Sequence, residues 1–239
     1  MGELGNVAAI RRYPVKSMLG EDLQAVTLTA SGLDGDRTVA VIDQQPAPQL
    51  RVLGGGDPAA GQVLSRLLHR DVRLATERPE RAILARPAPE DVIDNGEDAD
   101  VPYQTLEIGQ GTPGSTFVDF APVHLITSAT LAHVGAEMIR YRPNIVVDTR
   151  GGAPFAENDW TGRDIWIGRA RLRIILPTPR CAVPTLAHGT LSRRTDAVRT
   201  LLEHNRIPVP GHGTQPCLGA YAQVINAGTV SVGDRALFA

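Results

Sequence analysis

Short runs in which apolar and polar residues alternate dominate the chain and predict β-strands. Such runs cover residues 6–15, 23–43, 71–77, 142–149, 164–176 and 220–239. In the fifth run, Leu172 and Ile174 alternate with Arg171 and Arg173 beyond a turn at Gly168. This period of two predicts a β-hairpin there, and the last run predicts another.

Only about three segments have the apolar spacing of a helix. The first starts at Pro58 after an Asp57 cap, and the second follows a strand at Thr127 or Ser128. The third runs from about Thr195 to His204. Their apolar positions are Val63, Leu64, Leu67 and Leu68, then Leu131, Val134 and Met138, then Val198, Leu201 and Leu202. Many strands with few helices predict a mainly β (α+β) protein of barrel-like architecture rather than alternating βαβ units.

Two segments rich in turn-forming residues interrupt these elements. Residues 86–114 combine proline, glycine and acidic residues, which predicts a domain boundary or a surface excursion. The Gly54–Gly56 triplet has no following Lys-Ser/Thr pair, so a flexible connector is the better interpretation than a phosphate loop.

Composition limits the classes of partner. The chain has 239 residues and a formal net charge of −2, which gives no electrostatic reason to expect nucleic acid. No apolar run approaches the roughly 20 residues that span a bilayer, and the first residues lack a signal-peptide pattern. Only two cysteines are present, too few for a disulfide framework. We therefore expect a cytoplasmic protein without a membrane partner.

Lys16 is the only lysine among 24 basic residues of the lysine and arginine type. It stands in the segment Tyr-Pro-Val-Lys-Ser, residues 13–17, beside Ser17. Two explanations of this lysine are open: chance placement in an arginine-rich chain, and a binding site for a small anion.

Cys181 is the strongest candidate for chemistry. It follows a predicted strand in a loop stiffened by Pro177, Pro179 and Pro184. Arg180 beside it favours the thiolate, which is a nucleophile or a soft metal ligand. The alternative is a small buried apolar side chain. A zinc site from Cys181, His188, His212 and Cys217 lacks the paired spacing of zinc motifs.

Groups suited to anions recur along the chain. Arg37 follows a Gly-Asp turn, and Arg142 and Asn144 flank a proline before a strand. Thr127 and Ser128 stand at a predicted helix start, where free N–H groups favour a phosphate or only cap the helix.

Five motifs in the same order carry a resemblance to a known family. They are YPVKSMLG (13–20), GLDGDR (32–37), LITSATL (125–131), RYRPNIVV (140–147) and PTPRC (177–181), and GTVSVGD closes the chain at 228–234. The chain resembles the MOSC superfamily, and within it the amidoxime-reducing components and bacterial YcbX-type proteins. The resemblance implies a smaller N-terminal β-barrel domain, residues 1–90, packed on a MOSC β-barrel domain, residues 91–239.

In those relatives a molybdenum cofactor is held by one protein cysteine and by groups around its phosphate tail. The resemblance implies Cys181 as the molybdenum ligand, with Tyr221 near the reacting centre. His188, in a loop that departs from the family pattern, is a further candidate proton donor near the metal. The resemblance implies a cofactor-binding set of Lys16, Ser17, Arg37, Thr127, Ser128, Arg142, Asn144, Pro179 and Arg180. Pyridoxal phosphate binding is a further family-level expectation.

The implied activity is a molybdenum-dependent oxidoreductase that reduces N-hydroxylated compounds such as amidoximes and hydroxylamines. The ferredoxin-like domain of YcbX-type proteins is not found in the sequence, so we expect an external flavin, iron–sulfur or haem protein as electron donor. The loop RCAVPTLAHGT (180–190) departs from the family pattern and leaves the substrate open. Two alternatives remain: a metal-free sulfur carrier that uses a Cys181 persulfide, and a cofactor-binding or delivery protein.

Overall fold

The structure, a computed structural model, describes residues 2–43 and 58–239, in which strands predominate. The strands are β1 (Glu3–Arg12), β2 (Glu21–Leu23), β3 (Ala25–Thr29), β4 (Gly32–Leu33), β5 (Ala40–Asp43), β6 (Val72–Ala75), β7 (Ile83–Pro87), β8 (Tyr103–Glu107), β9 (Val123–Thr127), β10 (Ile145–Asp148), β11 (Asp164–Ile167), β12 (Ala170–Pro179), β13 (Arg206–Val209), β14 (Gly213–Asn226), β15 (Gly228–Ser231) and β16 (Arg235–Phe238). The helices are α1 (Pro58–Leu68), α2 (Pro89–Asn95), α3 (Ser128–Val134), α4 (Met138–Tyr141) and α5 (Asp196–His204), with 3₁₀ turns at Ala156–Trp160 and Val183–Thr185. The predicted mainly β class with a few helices is confirmed.

Seven strands close into a barrel, as the alternating pattern predicted. Their order is β10–β9–β14–β12–β11–β16–β1, and β1 completes the circle by pairing with β10. The β1–β10 register shifts between Val7 and Ala9, a bulge that bends β1 between its two neighbours. Closure pairs the edges of the sheet and encloses one apolar core.

The N-terminal segment contributes to this barrel as well as to smaller sheets. β1 and β2 belong to the barrel sheet, whereas β3 and β4 form a separate sheet with β15. Two further pairs, β5–β6 and β7–β8, lie outside the barrel. Leu28 of β3 is fully buried in the same apolar cluster as Leu172 of β12. The division into 1–90 and 91–239 stays a prediction.

The two predicted hairpins have different outcomes. The hairpin around Gly168 is confirmed, because β11 and β12 pair antiparallel with Ile165 opposite Leu172. The hairpin at the end of the chain is wrong: β15 pairs with β3, and β16 pairs with β1 and β11. Val230 of β15 is buried in the main core, and the pairing of β15 with β3 accounts for its position. A hairpin between neighbouring strands would not bring the Val230 side chain into this core.

The predicted helices are present, but the second ends early. Gly135 adopts a left-handed conformation (φ 62°) and closes α3 through a bond from its N–H to the Leu131 carbonyl oxygen. Met138, predicted to continue that helix, begins the separate helix α4. The predicted cap Asp57 and the Gly54–Gly56 connector lie outside the described residues.

No helix within the described ranges is long and apolar enough to cross a membrane.

We expect Leu28→Ala to lower the free energy of unfolding by about 2–5 kcal/mol, because it opens a cavity in the shared core. Leu67→Ala on α1 is the control, since Leu67 is 72% exposed and should change stability by less than about 0.5 kcal/mol. Urea unfolding of both variants measures the difference. Equal effects would show that β3 does not pack on the barrel core.

Candidate functional site

Cys181 is positioned by the end of a barrel strand. β12 and β14 pair as far as Pro179 opposite Cys217, and the Arg180 N–H then donates to the Pro216 carbonyl oxygen at 2.8 Å. Cys181 follows directly as a half-buried free thiol. The barrel therefore fixes the backbone on one side of Cys181, and the 3₁₀ turn Val183–Thr185 fixes it on the other.

Five basic side chains face one cavity of about 310 Å³ that Cys181 also lines. They are Lys16, Arg37, Arg86, Arg142 and Arg180, and we call this group the cation cradle. They come from five separate segments, so only the folded chain collects this charge. Such a cavity favours an anionic group.

One carboxylate holds two members of the cation cradle together. Asp119 accepts a hydrogen bond from Lys16 through one oxygen and from Arg86 through the other, the latter at 2.9 Å. Burial lowers the pKa of Lys16 and Asp119 opposes this change. Burial alone would raise the pKa of Asp119, but Lys16 and Arg86 hold it well below its usual range. Asp119 is therefore ionised at neutral pH.

Two other members of the cation cradle contact the ring of Tyr13. The guanidinium carbons of Arg37 and Arg142 lie 4.7 and 4.2 Å from the ring centroid. Asp36 accepts from Arg37 at 2.5 Å, and the Asn144 side-chain oxygen accepts from it at 3.3 Å. These contacts fix both guanidinium groups before any ligand arrives.

Three residues of the site have a strained backbone. Ser17, Arg37 and Arg142 have φ values of 66°, 47° and 55°, in the left-handed region that non-glycine residues seldom adopt. Strain of this kind persists where the surrounding structure holds it, and it clusters at binding sites. All three are residues that the sequence predicted to bind the cofactor.

Arg142 retains an unused donor. Its Nη1 donates to the Met18 carbonyl oxygen, but its buried Nη2 has no hydrogen-bond partner. Burial and then the neighbouring Arg37 lower the pKa of Arg142 to about 10. A buried donor without a partner costs free energy, which an anionic ligand in this cavity would recover.

Most of the predicted site residues come together. Lys16, Ser17, Arg37, Arg142, Asn144, Arg180, Cys181, His188 and Tyr221 all line the cavity of the cation cradle. Pro179 lines an adjoining cavity. His188 Nδ1 donates to the Leu186 carbonyl oxygen at 3.0 Å.

Thr127 and Ser128 lie elsewhere. The Thr127 hydroxyl accepts from the Thr130 N–H at 3.2 Å, and its own N–H donates to the buried carboxylate of Glu157 at 2.7 Å. Ser128 donates to Asp148 at 2.9 Å. The helix start is therefore occupied by protein groups, which favours the capping interpretation for this pair.

Sequence reasoning missed Arg86 and Asp119. Arg86 lies near the end of β7, in the segment predicted as a boundary or surface excursion, and it lines the cavity. Asp119 precedes β9 without any motif around it. The one available signal was the lone lysine, since a buried ammonium needs a carboxylate partner.

Two aromatic residues, His124 and Tyr221, line the same cavity as Cys181. Burial, then Asp119, raises the pKa of Tyr221 to about 12. The His124 ring centroid is 5.7 Å from that of Tyr221, and its Nε2 donates to the Leu218 carbonyl oxygen at 3.1 Å. Burial, then Arg180, lowers the pKa of His124 to about 3, so its ring is neutral.

Within residues 2–43 and 58–239, no group of three or more histidine, cysteine and acidic side chains could hold a metal ion. The Cys217 thiol instead donates to the Gln215 carbonyl oxygen, and burial raises its pKa to about 12. A zinc site of four protein ligands gains no support from this arrangement.

We expect His124→Gln to reduce the loss of stability in acid. The unfolded chain protonates His124 below about pH 6.5 and the folded chain only near pH 3, so the free energy of unfolding falls as pH decreases between these values. The contribution is at most about 1.4 kcal/mol per pH unit. Urea unfolding from pH 7 to pH 4 measures it, and the glutamine keeps a donor to Leu218. Identical slopes in both proteins would contradict the assignment.

Known protein families and relatives are similar to this chain over most of its length. The MOSC N-terminal beta barrel domain matches residues 4–50, and the MOSC domain matches residues 113–236. The human mitochondrial amidoxime-reducing component 1 is 22% identical over 97% of this chain and 82% of its own length. The bovine mitochondrial amidoxime reducing component 2 is 30% identical over 49% of this chain and 37% of its own length. The solved YUAD protein from Bacillus subtilis has a TM-score of 0.49 at 12% identity, covering 97% of this chain and 93% of that one. Since the MOSC domain alone matches more than half of the residues, the chain belongs to the MOSC family.

Proposed function

We propose that this chain binds a molybdenum cofactor in the cation cradle, with Cys181 as the protein ligand to the metal, and reduces N-hydroxylated compounds. The observation that carries the proposal is the shared cavity: the Cys181 thiol and five basic side chains line the same 310 Å³. A soft thiolate suits molybdenum, and a cluster of cations suits a pterin phosphate.

A second observation, at Arg142, also supports the fit of these residues to the cofactor. The buried Nη2 of Arg142 has no partner within the described protein. A phosphate oxygen is the kind of acceptor that a guanidinium binds most strongly. Lys16, Arg37 and Arg142 would therefore hold the phosphate, while Ser17 and Asn144 complete the wall of the cavity.

When bound, the cofactor supplies the redox-active metal at which oxygen transfer takes place. Overall, the N–O bond of the substrate breaks, two electrons come from an external redox protein, two protons are taken up, and water leaves. A flavin, iron–sulfur or haem protein would act as that donor.

The chain itself handles the protons. Tyr221 lines the cavity, and its raised pKa of about 12 keeps its hydroxyl protonated at neutral pH. His188 lines the same cavity and keeps its Nε2 available after Nδ1 has bound Leu186. We assign the two side chains as the proton-holding groups.

The relatives support the reaction class. The human and bovine proteins are named for the reduction of amidoximes, and the human match spans nearly all of this chain. Identity of 22% leaves the particular N-hydroxylated substrate open. Pyridoxal phosphate binding stays a prediction.

We expect Cys181→Ser to lower molybdenum content and viologen-driven benzamidoxime reduction by more than about tenfold, because it removes the metal ligand. Cys217→Ser is the matched control, since that buried thiol donates to the Gln215 carbonyl oxygen and does not line the cavity of the cation cradle. Both variants are purified from cells that make the cofactor, and metal content and turnover are measured together.

The other outcomes of that experiment separate the alternatives. A persulfide mass shift on Cys181 without molybdenum would favour the sulfur carrier. Bound cofactor without turnover would favour a delivery protein. Equal molybdenum in wild type and Cys181→Ser would contradict the assignment of the ligand.

We expect Arg142→Gln to weaken cofactor binding by roughly tenfold, the value of one charge-assisted hydrogen bond. Arg150→Gln is matched to it, since Arg150 has a similar φ of 46° but an exposed side chain that binds Asn6. Pterin and molybdenum per chain measure occupancy, and thermal unfolding checks the fold. Equal occupancy in the two variants would exclude Arg142 from the binding set.

A further inference from the structure

A second cavity of about 590 Å³ lies against the cavity of the cation cradle, and we call it the second chamber. Both cavities are lined by Arg86, Asp119, Arg180, Cys181 and Tyr221. Cys181 therefore stands where the two spaces meet. A ligand bound to this thiol would be accessible from the second chamber, and an anionic end of the same ligand would lie in the cation cradle.

The two spaces differ in charge. The cation cradle cavity is lined by five basic side chains against the carboxylates Asp119 and Glu97. Among the described residues, the second chamber has Arg86, Arg180 and Arg206 against four carboxylates. Its own arginine, Arg206, is paired with Glu90 at 2.9 Å. An anion is thus drawn to the cation cradle, whereas the second chamber suits a neutral or cationic molecule.

Three rings form a continuous wall in the second chamber. The ring centroid of Phe120 is 5.7 Å from that of His212 and 5.9 Å from that of Tyr221. Leu84 and Leu176 add apolar surface beside them. Flat aromatic groups stack on such a wall, and their burial removes apolar area from water.

The backbone of Phe120 is fixed by hydrogen bonds from Gly111 and Thr112. Its carbonyl oxygen accepts from the Gly111 N–H at 2.9 Å and from the Thr112 hydroxyl at 3.0 Å. A Cβ at Gly111 would lie 3.1 Å from the Phe120 ring, so the glycine allows this close approach. The ring is therefore fixed before a ligand enters, which reduces the entropy cost of binding.

We infer that the second chamber is the substrate site and that it selects N-hydroxylated compounds with a flat, uncharged or cationic aryl group, Phe120 being the specificity-determining residue. The inference rests on the proposed function for the reaction and on the second chamber for the selectivity.

Steady-state kinetics with two substrates test the selectivity. Phe120→Ala should raise KM for benzamidoxime roughly three- to tenfold with little change in kcat, because it removes one ring contact. KM for hydroxylamine, which has no ring, should not change. Phe120→Leu keeps an apolar side chain and should show the same split if the alanine variant fails to fold. Phe155→Ala is the control, since Phe155 packs on His133 outside the second chamber.

Calorimetric binding of benzamidine, which carries the ring but no N–O bond, tests the second chamber without turnover. Benzamidine should bind wild type and lose affinity roughly three- to tenfold in both Phe120 variants. Benzamidine binding does not require molybdenum. A protein without molybdenum that still binds benzamidine would contradict the proposed function and leave this inference intact. Equal affinity in all proteins, or no binding to wild type, would overturn the inference. Lower molybdenum content in Phe120→Leu would also overturn it, since the second chamber would then hold the cofactor.

Discussion

The Asp119 carboxylate is the contact on which the cation cradle depends. Lys16 and Arg86 would repel each other and lose hydration if they faced the cavity alone. Asp119 gives each of them one oxygen, which offsets the cost of placing the buried Lys16 and the half-buried Arg86 beside each other. Asp119, Glu97 and Asp36 carry three negative charges against the five basic side chains, so these groups keep a formal net charge of +2, which favours an anionic ligand.

The barrel holds the remaining side chains of the site in fixed positions. Asn144, just before β10, donates its backbone N–H to the His124 carbonyl oxygen at 2.7 Å and accepts from the His124 N–H through its side chain at 3.1 Å. The same side-chain oxygen accepts from Arg37. Strand pairing and guanidinium placement are thus coupled through one amide. The strained backbone of Arg37 and Arg142 persists because these bonds determine it more strongly than the local preference of the chain.

Sequence patterns predicted what depends on neighbours along the chain, and missed what depends on distant contacts. The Gly168 hairpin and the loop position of Cys181 follow from local alternation and prolines. The path of β15 depends on pairing with β3, about 200 residues away in sequence, which no local pattern encodes. Asp119 likewise meets Lys16 across 103 residues. The lone lysine indicated that a partner was needed without indicating which carboxylate supplies it.

The two cavities give a physical reason for the position of Cys181. Under the proposed function, a metal centre at Cys181 is held from one side and reached from the other, whereas a uniformly basic pocket would attract anions to both sides. Here Asp119 and Tyr221 line both spaces, so one carboxylate neutralises cations on the cradle side while one ring adds apolar surface on the other. The change from cationic to aromatic lining occurs across Cys181 itself. Under the two proposals, cofactor binding and substrate selectivity use different residues of the same wall, and a change in Phe120 would alter the substrate without weakening the contacts of Lys16 or Arg142.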